Sequence, residues 1–292
     1  MRRYPRHRYP RHRYPVRRYA YQRARRSWAR ALGLVLVGIC LACGAWALLE
    51  GVIWPEEGDR VSSDGSLTMD YSHASQGYVL ARASSSKRLK LRVSKGDTTL
   101  TYDLNGEGEY EVFPLQLGDG KYSWTLYENV TGNSYAQAGG MSFSVELEDV
   151  NAPFLCPNQY VNFTPESQVV AVAAELCQGL ETGAEKLAAV RAYIQENYLY
   201  DYIKAVTTTP GQMPDIEGCM ESRMGICQDL AAMAAAMLRS QGVPVEFVVG
   251  YAGNVYHAWT VVLLEEGNVL YDPTVDVNGI AAGAVYTTER FY

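Results

Sequence analysis

Histidine is scarce, at four in 292 residues, and His-x-x-x-His spacing does not occur. Outside one apolar stretch there is no Cys-x-x-Cys pair either, which argues against zinc fingers, zinc ribbons and zincin helices. No glycine-rich nucleotide loop and no haem attachment motif is present, so no metal or cofactor is expected. Asp and Glu are missing from residues 1–30, and charge of either sign is missing from residues 31–49. Each absence sets off a segment with its own physics.

Residues 1–30 hold twelve Arg, six of them in a five-residue repeat that ends each time in Arg-Tyr-Pro, at Pro5, Pro10 and Pro15. Proline at every fifth place forbids a helix, and the charge density opposes collapse, so 1–30 reads as a disordered basic tail. Removing those twelve Arg leaves 14 Lys and Arg against 32 Asp and Glu, a balance of −18 for the rest of the chain. A basic arm and an acidic body belong to different settings. The nineteen uncharged residues 31–49 lie between them, and an apolar helix of about 20 residues spans a bilayer core. Trp28, Trp46 and Trp54 flank this segment as interfacial aromatics do. The positive-inside rule then puts the tail in the cytoplasm and the acidic body outside, in a single-pass cell-membrane protein. The alternative is a cleaved signal with Ala45-Trp46-Ala47 as its site, for which a thirty-residue arm is long. The tail's expected role is a topology signal, with contact to anionic lipid headgroups as its functional form. Interleaved Tyr permits base stacking, but no nucleic-acid partner is expected.

Residues 50–76, rich in Ser, Asp and Gly, read as a linker. Residues 77–150 read as a small all-β sandwich, with short alternating runs such as 89–94, 98–104 and 122–128 between turn signals. Its expected role is to space or position the C-terminal domain.

Residues 151–292 carry the chemistry. The periodicity of Ile226, Leu230, Met233 and Met237 predicts a helix over 228–241, stopped by Gly242 and Pro244. Cys227 then lies at the helix N-terminus after a flexible Gly225, where free N–H groups and the helix dipole favour a thiolate and could also stabilise an oxyanion. Val255 to Leu264 alternates as a strand, with His257 on a face shared by Val255, Trp259, Val261 and Leu263. A short turn and a second strand, Asn268 to Tyr271, bring Asp272 beside His257. His7 and His12 fall in the tail and His73 in the linker, so His257 is the candidate base. Cys227, His257 and Asp272 thus offer a nucleophile, a base and a group to orient the base. Each alone has a bland reading: a small buried thiol, a satisfied core histidine, a turn aspartate.

Gly225-Ile226-Cys227-Gln228-Asp229, then Gly250-Tyr251, His257-Ala258-Trp259 and Asp272-Pro273-Thr274, resemble the transglutaminase-like superfamily, a branch of the papain-like cysteine enzymes. The resemblance covers roughly residues 165–280. It implies an α+β domain with Cys227 as nucleophile on a helix, and His257 and Asp272 on a following antiparallel sheet, with Trp259 beside the His. Papain-like proteases place a Gln six residues before the Cys; here that position is Glu221. Tyr200, Tyr202 and Gln228 are the remaining candidates for a side-chain oxyanion donor.

The expected activity is that of an extracytoplasmic, membrane-anchored cysteine enzyme acting on amide bonds of peptides or proteins, by hydrolysis or by acyl transfer to an amine. The alternative is an inactive binding or structural module at the cell surface. An oxidising exterior would also permit one disulfide among Cys156, Cys177 and Cys219, with the pair unnamed by sequence.

Overall fold

The computed structural model describes residues 51–209, 211–279 and 283–292. The basic tail and the apolar stretch 31–49 lie outside the described residues. Among the described residues no helix is long and apolar enough to cross a membrane.

Eight strands make the first half: β1 (Val61–Ser63), β2 (Thr68–Asp70), β3 (Tyr78–Arg82), β4 (Leu89–Lys95), β5 (Thr98–Leu104), β6 (Glu111–Pro114), β7 (Gly120–Thr131) and β8 (Ser134–Val145). They form two antiparallel sheets, ordered β1-β2-β3-β6 and β5-β4-β7-β8. Alternation decides which pleat faces in. Leu89, Leu91 and Val93 of β4 and Leu100, Tyr102 and Leu104 of β5 are buried, while Arg92, Thr101 and Asp103 between them are exposed. Val79 and Ala81 from the other sheet enter the same core, as a sandwich requires.

The folded part begins earlier than the expected linker, 50–76, allows. β1 and β2 lie inside it. Asp64 Oδ1 accepts the N–H groups of Ser66 and Leu67 at 2.9 and 2.8 Å and closes their hairpin. Leu67 and Met69 are fully buried. Asp70 accepts from Gly58 at 2.6 Å and Ser72 at 2.9 Å, folding the preceding strap onto the sheet. The Ser, Asp and Gly here are turn chemistry rather than a tether.

The second half is helical around an antiparallel sheet. Its helices are α1 (Gln168–Leu176), α2 (Gly183–Asn197), α3 (Tyr202–Thr207), α4 (Ile216–Ser222), α5 (Cys227–Arg239) and α6 (Pro273–Asn278). The sheet runs β13 (Gly267–Tyr271), β12 (Val255–Leu264), β11 (Val245–Ala252) and β14 (Tyr286–Phe291) in spatial order. Two short strands, β9 (Leu199–Tyr200) and β10 (Met224–Gly225), pair in parallel. Helix α5 is the axis: every residue from Asp229 to Arg239 is buried, against α1, α2, α4, α6, β11 and β12. Its alanine run lets these neighbours approach from all sides.

Arg239, fully buried at the end of α5, donates to the carbonyls of Cys156, Val245 and Tyr292 at 2.7–3.0 Å. Burial pulls its guanidinium down to about 10. The ring of Tyr102 in the sandwich meets that of Tyr292 at 5.7 Å. Sandwich and helical half therefore share one continuous core. Cys156, Cys177 and Cys219 are free thiols, each buried, and burial raises all three. No disulfide joins them.

Candidate active site

Cys227 is the first residue of α5, half-buried, with Ile226 as N-cap. Three contacts fix this helix start. Asp229, three residues after the N-cap, accepts the Ile226 N–H at 3.0 Å and the Asp215 N–H at 2.9 Å. Its Oδ2 also lies 2.7 Å from Lys204 Nζ of α3, with the Asp side chain fully buried. A buried carboxylate is tolerated where cation and N–H partners satisfy it. Asp229 stands in the motif around the Cys, but its anchoring role is not visible in sequence. An acidic residue three places after an N-cap is the available signal.

Gly225 is not the flexible hinge expected. It pairs with Tyr200 across β10 and β9, and its φ is not positive. Space is what demands glycine: a Cβ there would lie 2.7 Å from Cys219 Sγ and 3.1 Å from Asp229 Cβ.

His257, on β12, is buried, and its Nε2 lies 2.7 Å from Asp272 Oδ2. Cys227 is the other side chain that acts on the imidazole, by hydrogen bonding and by charge. Burial pulls the imidazole down, but the hydrogen bonds to Asp272 and Cys227 and their charges outweigh it and raise the pKa to about 9. For Asp272, burial pushes up, and the hydrogen bond and charge of His257, with Tyr286 and the Thr274 N–H, bring the carboxyl below its usual range.

Asp272 does more than end a strand. Its Oδ1 accepts the Thr274 N–H at 2.9 Å and caps α6, with Pro273 in the first helical turn. The sequence pattern marks Asp272-Pro273 as a stop and does not reveal this helix. Nor does it reveal Tyr286, on β14, whose hydroxyl donates to Asp272 Oδ2 at 2.7 Å. The Tyr286 ring meets Trp259 edge-on at 5.0 Å, and Trp259 lies 6.3 Å from the His257 ring. Of the expected apolar face, His257 and Trp259 are buried, Val261 and Leu263 half-buried, and Val255 exposed; Ala258 and Val262, on the opposite pleat, are buried in the main core.

Cys227 and His257 open into a cleft of about 400 Å³. One wall is the loop Gly211 to Pro214, and the floor is aromatic, from Tyr160, Phe247 and Tyr292. Lys90, Thr101 and Asp103 of the sandwich form a further wall, so the sandwich is more than a spacer. Gln228 lines the cleft with its side-chain amide donating to Gln212 O at 3.1 Å. Tyr200 is near enough to feel Cys227: burial first, then that charge, raises its phenol to about 12. Tyr202 is 58% exposed, and Glu221 is an exposed residue of α4 that does not line the cleft. A second cavity of about 440 Å³ beside Trp54, Tyr110 and Phe163 lies away from these groups. Among the described residues no cluster of three His, Cys, Asp or Glu is placed to hold a metal ion.

Residues 170–273, the region that holds Cys227, His257 and Asp272, match the family model described as the transglutaminase-like superfamily. The chain is 24% identical over 199 residues to the protein YebA of Bacillus subtilis strain 168, covering 60% of this chain and 27% of that protein. It thus spans about a quarter of that relative's length. A candidate cysteine protease from Cytophaga hutchinsonii superposes with a TM-score of 0.41 at 17% identity, over 78% of this chain and 76% of that one. Red sea bream transglutaminase gives 0.31 at 13% identity, over 72% and 49%.

Proposed function

We propose that this chain is a cysteine enzyme acting on amide bonds of peptides or proteins. The observation that carries the reading is His257 paired with Asp272 at 2.7 Å from Nε2, within electrostatic reach of Cys227 and lining the same cleft. Cys227 sulfur attacks the amide carbonyl carbon, and the oxyanion faces free N–H groups in the first turn of α5. The C–N bond then breaks as His257 gives its proton to the departing amine, leaving a thioester. Water or an amine, deprotonated by His257, attacks the thioester and frees the thiol. Asp272 holds the imidazole in register throughout. No cofactor enters these steps.

The uncharged stretch 31–49 after twelve Arg supports the further reading that the enzyme is membrane-anchored and faces outward. Tail contact with anionic lipid belongs with that reading.

The test is alkylation of the purified chain by iodoacetamide at pH 7, read by peptide mass spectrometry. Cys227 is expected to label well ahead of Cys156, Cys177 and Cys219, and His257→Ala to slow it about tenfold or more. Cys227→Ala is expected to abolish turnover while the domain stays folded. A Cys227 that labels no faster than a free thiol, indifferent to His257, returns the domain to the inactive binding module.

A further inference from the structure

The charges around the cleft do not cancel. Lys90 Nζ lies 2.7 Å from Asp103 Oδ1, so the sandwich wall is internally paired. His257 is matched by Asp272. Arg290, on β14, also lines the cleft, and among the described residues no carboxylate lies within ion-pair distance of it. Its surroundings are aromatic. Nη2 donates to Tyr256 Oη at 2.6 Å, and Tyr256 is braced edge-on against Tyr251 at 5.5 Å. The phenols of Tyr160 and Tyr292 are near enough to act on its charge. An unmatched guanidinium, steadied by one neutral acceptor, keeps the rest of its planar fork for a ligand. It does so in a body whose overall balance is strongly acidic.

Its position relative to the nucleophile is set by strand register. Arg290 pairs with Val249, and Val249 pairs with Ala258, next to His257. Two strand spacings put the Arg290 backbone roughly 10 Å from that of Ala258, on the pleat opposite His257, and both Arg290 and His257 line the cleft. Arg290 and Cys227 line the same cleft, so a group held by the guanidinium shares that cleft with an acyl carbon at Cys227.

We propose that Arg290, steadied by Tyr256, is a specificity subsite that binds a carboxylate of the acyl donor, so that the amide attacked by Cys227 belongs to an anionic substrate. This rests on the reading of Cys227 as nucleophile. Bidentate pairing of guanidinium with carboxylate supplies geometry as well as charge. The carboxylate can come from an acidic side chain or from a chain terminus; the chemistry at Arg290 is the same.

The test uses thiol-reactive probes of graded length: N-bromoacetyl derivatives of glycine, 4-aminobutanoic acid and 6-aminohexanoic acid, each beside its neutral methyl amide. In each, Cys227 sulfur displaces bromide. The acid is expected to react about tenfold faster than the amide at one spacer length, with a rate that saturates and weakens with salt. In Arg290→Gln the acid-to-amide ratio should fall to about one, and Arg290→Lys should recover part of it. An acid-to-amide ratio near one at every spacer, or a preference that survives Arg290→Gln, overturns the subsite. Slow, His257-independent labelling by iodoacetamide would instead sink the nucleophile. In that case calorimetric titration of Cys227→Ala with N-acetyl-4-aminobutanoate and its methyl amide still reads the charge preference. Equal binding of the two overturns the subsite, and tighter acid binding lost in the Arg290→Gln double variant upholds it. Competing peptides separate the sources: a Glu peptide with an amidated end protects Cys227 if a side chain is bound, and a Gln peptide with a free end does so if a terminus is bound.

Discussion

Tyr286 Oη donates to Asp272 Oδ2 at 2.7 Å, the same oxygen that meets His257 Nε2 at 2.7 Å. The other oxygen caps α6 through Thr274. Both carboxylate oxygens are engaged, so the group cannot turn, and the plane of the imidazole is set with it.

Removing the charge and removing the brace should separate. Asp272→Asn is expected to cut the Cys227 reaction by about 10²–10⁴, with little loss of fold, because the amide oxygen still caps α6. Tyr286→Phe should cost about 3–10-fold, with roughly 1 kcal/mol of stability. It should also move the alkaline limb of the pH profile upward, because a carboxylate with one donor fewer holds the His257 proton harder. Equal losses in the two variants would contradict this division.

The pH dependence has a definite sign. His257 is raised from 6.5 to about 9, so a step needing its proton fades as pH climbs through about 9. For stability, the raised His contributes fully below 6.5 and loses that contribution between 6.5 and about 9. Asp272, held below 3.8, contributes above 3.8 and loses it as pH falls through the lowered value. Both contributions are present from about pH 4 to 6.5. His257→Ala should therefore flatten the melting temperature between pH 6.5 and 9, as scanning calorimetry would read; an unchanged slope there would count against the pair.

Gly225→Ala should destabilise by about 1–3 kcal/mol, because the new methyl meets Cys219 Sγ. Cys219→Ala in the same chain should return part of that loss by opening the space. Urea denaturation of both variants decides it; an additive double variant would mean that the crowding lies elsewhere.

The order Cys227, His257, Asp272 is legible in sequence because each sits in a local pattern: helix start, alternating strand, strand end. Tyr286 is not, since its contact with Asp272 depends on a strand that returns beside β11, fourteen residues after the aspartate. Arg290 depends on the same strand. The α5 axis is readable from its apolar spacing, and most sandwich strands from alternation. The hairpin of β1 and β2 is hidden because its turn residues outnumber its two buried anchors, Leu67 and Met69. Helix α6 is hidden because Asp-Pro both ends strands and starts helices, and only the chain beyond decides. The sandwich's share of the cleft lies in tertiary packing that no sequence pattern carries.

That share has an evolutionary reading. Lys90, Thr101 and Asp103 stand on the outer pleat of β4 and β5, while Leu89, Leu91, Leu100 and Tyr102 hold the sandwich from the inner one. Drift at the three outer positions can reshape what the cleft admits without disturbing either the core or the helix that bears Cys227. That wall of the cleft is thereby inherited on a stretch of chain separate from Cys227, His257 and Asp272, and it can vary while those three stay constant.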